Sequence, residues 1–164
     1  MLDAPVDVWY AWLGLAIAAT ATLGVVASLP STPPPDASAV AGTVDTVAAA
    51  EPPAAARYRL GSDPTSVAAR VTTRGVSLRS DGGTASAAFD SASVVPVDRG
   101  GPLAGVALGD PPGRAFATPR AFAEAVAAAR DAGDRSDATW TAGRTLHARH
   151  VSWGETDVTL VVVA

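Results

Sequence analysis

Thr145 to Val163, TLHARHVSWGETDVTLVVV, reads as two strands, Thr145 to Trp153 and Thr156 to Val163, joined around Gly154-Glu155. Val and Thr occur in both runs and Trp153 closes the first, and a short glycine-containing link between such runs is the mark of a hairpin. The second run ends VTLVVV. Side chains alternate along a strand, so Val158, Leu160 and Val162 share one face and Val161 and Val163 the other. A strand that is apolar on both faces has to be covered on both, which predicts a central position in the sheet.

Upstream, GVSLRSDGGTASAAF (75–89) repeats the pattern. Val76 and Leu78 point one way and Ser77 and Arg79 the other. Asp81-Gly82-Gly83 supplies the turn, and Ala85, Ala87 and Phe89 return on one face. Val94 to Val97 predicts a further strand, and loops marked by Gly100, Gly101, Pro102, Pro111, Pro112 and Gly113 surround a short Leu103 to Leu108 stretch.

Two segments carry the helical period instead. Asp36 is placed to cap a helix running to about Ala50, with Val40, Val44 and Val47 on one face, before Glu51-Pro52-Pro53 ends it. Thr118 caps a second, Pro119 occupies its first position and Gly133 marks its end, with Phe122, Ala125, Val126 and Ala129 as the buried stripe. The expected fold is therefore α+β: a short amphipathic helix, then a small antiparallel β-sheet domain with one packed helix, over residues 36–164.

Ahead of that domain, Val8 to Leu29 reads VWYAWLGLAIAATATLGVVASL, without charge or proline. As a helix it would span roughly 33 Å, matching a hydrocarbon core of about 30 Å. The expectation is an N-terminal transmembrane helix, with residues 1–35 serving as membrane anchor and Pro-rich spacer. A cleaved secretory signal fits less well, because MLDAPVD carries two acids and no basic side chain. Trp9, Tyr10 and Trp12 would sit at the membrane interface. Gly14, Ala18 and Thr22, with Ala16, Thr20 and Gly24, form two ridges of small residues against which a partner helix could pack. The first arginine is Arg57, so the charge rule for orientation has nothing to act on.

Composition removes several chemistries. The chain has no Cys, Lys, Asn or Gln. Disulfides, thiolate metal sites, a P-loop and a Schiff-base lysine are excluded. Its net charge of −4 arises from interspersed acids and arginines, unlike the clustered basic face of a nucleic-acid binder. His147 and His150, the two histidines, would fall on opposite faces of a strand, which argues against a shared metal and for surface or hairpin-stabilising roles. Gly101, Gly105 and Gly109 lack the lysine and leading strand of a nucleotide loop. No catalytic, cofactor or metal residues are expected.

The Lys-free, Ala- and Val-rich, Asp-over-Glu composition resembles that of halophilic archaeal proteins. With the apolar N-terminal segment, DASAVAGTVDTVAAA (36–50), the hairpin at 75–89 and VVPV at 94–97, the chain is similar to single-span, pilin-like envelope proteins of haloarchaea. Two departures from type IV pilins are visible: the leader lacks basic residues, and Pro30 to Pro35 interrupts the helix. The resemblance implies a non-enzymatic, membrane-anchored envelope protein, an accessory or minor pilin-like component of a type IV pilus-like or secretion assembly. Its partners would be the lipid bilayer and a transmembrane helix or the assembly itself, with the domain extracellular. The competing reading is a membrane-tethered ligand-binding or sensory domain.

Overall fold

A computed structural model describes residue 9 and residues 12–20, 33–63, 65–135 and 139–164. The chain forms two compact units, Met1–Thr32 and Pro33–Ala164.

In the first unit Trp9 and residues 12–20 are helical and exposed. Among the described residues no helix is long and apolar enough to cross a membrane. This corrects the expected transmembrane helix from Val8 to Leu29, and the single-pass arrangement built on it. The run from 12 to 20 rises only about 14 Å, half of a hydrocarbon core. Tyr10, Thr22, Gly24 and the remainder of that expected span lie outside the described residues.

The second unit begins with α1 (Ala37–Ala49) and β1 (Ala54–Arg59), followed by β2 (Ala68–Val71), β3 (Gly75–Ser80), β4 (Gly83–Ala88) and β5 (Val94–Pro96). Three helices come next, α2 (Ala104–Leu108), α3 (Pro112–Ala115) and α4 (Pro119–Gly133). The two-residue β6 (Thr141–Ala142), β7 (Thr145–Trp153) and β8 (Thr156–Val163) complete the described elements. Both expected caps are in place: Asp36 Oδ1 accepts from the Ala39 N–H at 2.9 Å and Thr118 Oγ1 from that of Ala121 at 3.2 Å. Ser38 first, and then the Ala39 N–H, holds the Asp36 carboxyl below its ordinary range.

The strands form two four-stranded sheets rather than the single antiparallel sheet expected. One is antiparallel in the order β4-β3-β2-β6; the other runs β1-β7-β8-β5 and is mixed, because β5 lies parallel to β8. The parallel pair is separated by α2, α3, α4, β6 and β7, a connection that no local pattern announces.

β8 is central, between β7 and β5. Val161 and Val163 enter a core with α1, Val76, Leu78 and Leu146. Val158, Leu160 and Val162 enter a second core with Val106, Phe116, Phe122 and Val126. The mixed sheet is thus covered on both faces, by α1 and the antiparallel sheet on one side and by α2 and α4 on the other. To the two expected helices, α1 and α4, the structure adds α2 as a third packed on the mixed sheet. In the second core Phe122 is fully buried, edge-on to Phe116 at 5.5 Å and tilted against Trp153 at 5.7 Å.

Candidate functional site

The site begins with the composition of β1. AAARYR alternates: Ala54, Ala56 and Tyr58 are half-buried against the first core, while Ala55, Arg57 and Arg59 are exposed. Across the ladder Ala55 pairs with Arg149, Arg57 with His147 and Arg59 with Thr145. Arginines and a histidine are therefore gathered on one face at the edge of the mixed sheet. Ala55, the one β1 residue besides the arginines on that face, raises no bulk above it.

One wall of the resulting cleft is the end of α2. Gly109, at φ +133, closes that helix, its N–H bonding to the Gly105 and Val106 carbonyls at 3.1 and 3.2 Å. Only glycine enters that backbone region without strain. Arg149 then fastens the helix end to the sheet, donating from Nη1 to the Val106 carbonyl at 2.7 Å and to the Asp110 carbonyl at 2.8 Å. Its charge complements the negative end of a helix. Asp110 is held in turn by Arg114 at 2.7 Å.

Between this helix end and β1 lies a cleft of about 520 Å³, bordered by Pro53, Ala55, Arg57, Leu108, His147 and Arg149. Leu108 is 49% exposed, the one large apolar side chain so exposed among the described residues of 33–164. Among the described residues Arg57 and Arg59 form neither an ion pair nor a side-chain hydrogen bond; the ion pairs are Arg114–Asp110, Arg120–Glu124 and His150–Asp157. Burial first, and then the Arg57 guanidinium, pushes His147 below its ordinary 6.5. The cleft is cationic, without acids to balance it, and has one apolar contact at its mouth.

The two histidines face opposite sides of β7, as the strand reading requires. His150 is buried, taking the hairpin-stabilising rather than the surface role of the two expected. Its Nδ1 lies 2.7 Å from the Ala50 carbonyl at the end of α1, and its Nε2 contacts Asp157 across the hairpin. It joins α1 to β7 and β8, a structural role. Among the described residues no group of three or more His, Asp or Glu side chains could hold a metal. Gly105 lies inside α2 and Gly109 at its end, so these glycines build a helix where the sequence suggested a turn-rich connection.

Of the expected interaction residues, Gly14, Ala16, Ala18 and Thr20 are helical and exposed, and Trp9 and Trp12 are 72% and 67% exposed. The Thr20 hydroxyl turns back onto the Ala16 and Ile17 carbonyls at 2.9 and 3.0 Å. Sequence reasoning missed the β1 cleft altogether. The signal was present in Arg57-Tyr58-Arg59, where one half-buried aromatic between two exposed arginines gives the strand period, but Ala54 to Ala56 carried none.

Residues 3–151 match a family of unknown function, DUF7283. No curated protein matches the chain. No solved structure matches it either.

Proposed function

The chain belongs to the DUF7283 family, and we propose that it is a non-enzymatic interaction protein of the cell envelope, an accessory component of a pilus-like or secretion assembly. The observation that carries this reading is the β1 cleft, where Arg57, without an ion pair among the described residues, stands beside the exposed Leu108. Pockets that bind rather than react combine an apolar contact with a few polar groups fixing orientation. Uncompensated charge at a sheet edge favours a neighbour of opposite charge over one of like charge. The exposed apolar side chains of the N-terminal unit, Trp12, Leu13, Leu15 and Ile17 among them, offer a second surface of the kind that associates.

A photo-crosslinking amino acid at position 108, introduced in the native cells, tests the proposal. The expected product is one discrete adduct whose partner is a structural component of the envelope assembly, and a deletion strain is expected to assemble it poorly. Adducts confined to a small anionic metabolite would favour the ligand-binding reading instead. Normal assembly in the deletion strain, with no adduct at position 108, would overturn the proposal.

A further inference from the structure

The backbone of β1 specifies more than its charge. β1 is a terminal strand of the mixed sheet. The Leu60 N–H bonds to the Arg144 carbonyl at 2.8 Å, so 60 and 144 are a hydrogen-bonded pair of the antiparallel ladder. Bonded and non-bonded pairs alternate. Tyr58, Ala56 and Ala54 therefore bond to β7, while the N–H and C=O groups of Ala55, Arg57 and Arg59 face the open edge. Among the described residues no hydrogen bond reaches those groups from that side.

The residues with outward backbone groups are the same ones whose side chains rise on the cleft face. Open donors, open acceptors, two guanidinium groups and the cleft all lie along one six-residue strand.

Edge strands left open invite pairing, and proteins ordinarily blunt them. The other edge of this sheet is blunted: β5 has three residues and ends on Pro96. Charged side chains on β1 could by themselves serve to repel strands. Two observations separate recognition from repulsion here: the cleft continues the edge beneath the α2 end, and Leu108 stands exposed across it.

We propose that β1 takes an extended acidic peptide as an added strand. The peptide's backbone would pair with Ala55, Arg57 and Arg59, its acidic side chains on the cleft face would meet Arg57 and Arg59, and an apolar residue on that face would rest on Leu108. Main-chain bonds supply affinity and alternate side chains supply specificity in this mode of recognition. Carboxylates meet guanidinium groups through short, charge-assisted hydrogen bonds. The inference rests on the interaction reading given above but names the chemistry of the partner, so peptide binding can hold even where the envelope assembly proves wrong.

The test titrates the full chain with an end-capped hexapeptide of aspartate and valine whose one face carries two aspartates and a valine and whose other face carries valines only, at low and high salt. Saturable binding is expected, weakening with salt, lost about tenfold or more in Arg57→Ala and in Arg59→Ala, and unchanged in the remote Arg120→Ala. N-methylation of the peptide at alternate amides is expected to abolish binding in one of the two registers of methylation. Equal binding of both N-methylated peptides, or of inorganic phosphate, would overturn strand addition in favour of a simple anion pocket. No binding by the acidic hexapeptide, or equal binding by its lysine counterpart, would overturn the proposal outright. Self-association through β1, seen as a dimer by sedimentation that Arg57→Asp strengthens, would replace it with pairing between copies.

Discussion

Deleting Thr159 to Ala164 is expected to unfold the domain. Chain termini usually tolerate trimming, but here the deletion removes most of β8. Leu160, Val161, Val162 and Val163 are each 6% exposed or less. Full burial of such a side chain contributes about 1.5–3 kcal/mol, so the four together supply about 6–12 kcal/mol. The whole stability of a domain is about 5–15 kcal/mol. The deletion also strips β7 of its ladder from Leu146 to His150 and β5 of all its pairing. The Val163 carbonyl, which accepts from Arg99 at 2.9 and 3.0 Å, goes with it. Far-UV and near-UV circular dichroism, with guanidinium titration of the full and shortened chains, reads the outcome. A shortened chain that unfolds cooperatively near the parent midpoint would show that β8 is not the shared centre of two cores. Leu160→Ala gives the graded version, costing about 2–5 kcal/mol and lowering the midpoint without abolishing the transition.

Phe122→Ala is expected to cost about 3–5 kcal/mol by the same titration, because it empties the centre of the second core and removes both aromatic contacts. Gly133→Ala is expected to cost about 1–3 kcal/mol, since an added Cβ would overlap the Pro96 ring, whereas Gly113, with open space around it, accepts alanine without loss of that kind. His147 titrates below its ordinary 6.5 in the folded chain, so as pH falls the unfolded state takes up the proton first. Its contribution to stability is therefore intact above about 6.5 and declines as the solution is acidified. His147→Phe is expected to flatten that part of the dependence, and an unchanged slope between about pH 8 and about pH 5 would contradict the desolvated, Arg57-facing ring.

What the sequence made legible was local. The β7–β8 hairpin shows itself through period-two alternation and a two-residue link, and Gly154, at φ +65, is the residue type that turn requires. The first and last long helices show themselves through Asp36 and Thr118-Pro119, whose side chains and ring can do little else at those positions. β1 was hidden because alanine is a weak strand former, and Ala54 to Ala56 take their conformation from pairing with β7. The parallel register of Val94 with Thr159 joins residues far apart in sequence, and hydropathy carries no record of such a pairing. The cleft shares that difficulty, being assembled from Arg57, Leu108 and His147 on three separate elements. Toward the N-terminus, length and apolarity alone suggested a spanning helix. Among the described residues no helix reaches that length.

The central placement of β8 also bears on how a cell can make this protein. Every other described element precedes it in the chain, so a ribosome has already released both unfinished cores before the strand that closes them is synthesised. Until then α1 and the antiparallel sheet offer one apolar face to the surroundings, and α2 and α4 another. Both are of the kind that draws nascent chains into aggregates. Closure of both cores therefore waits on β8, and the yield of the domain in the cell depends on what shields the waiting faces until then.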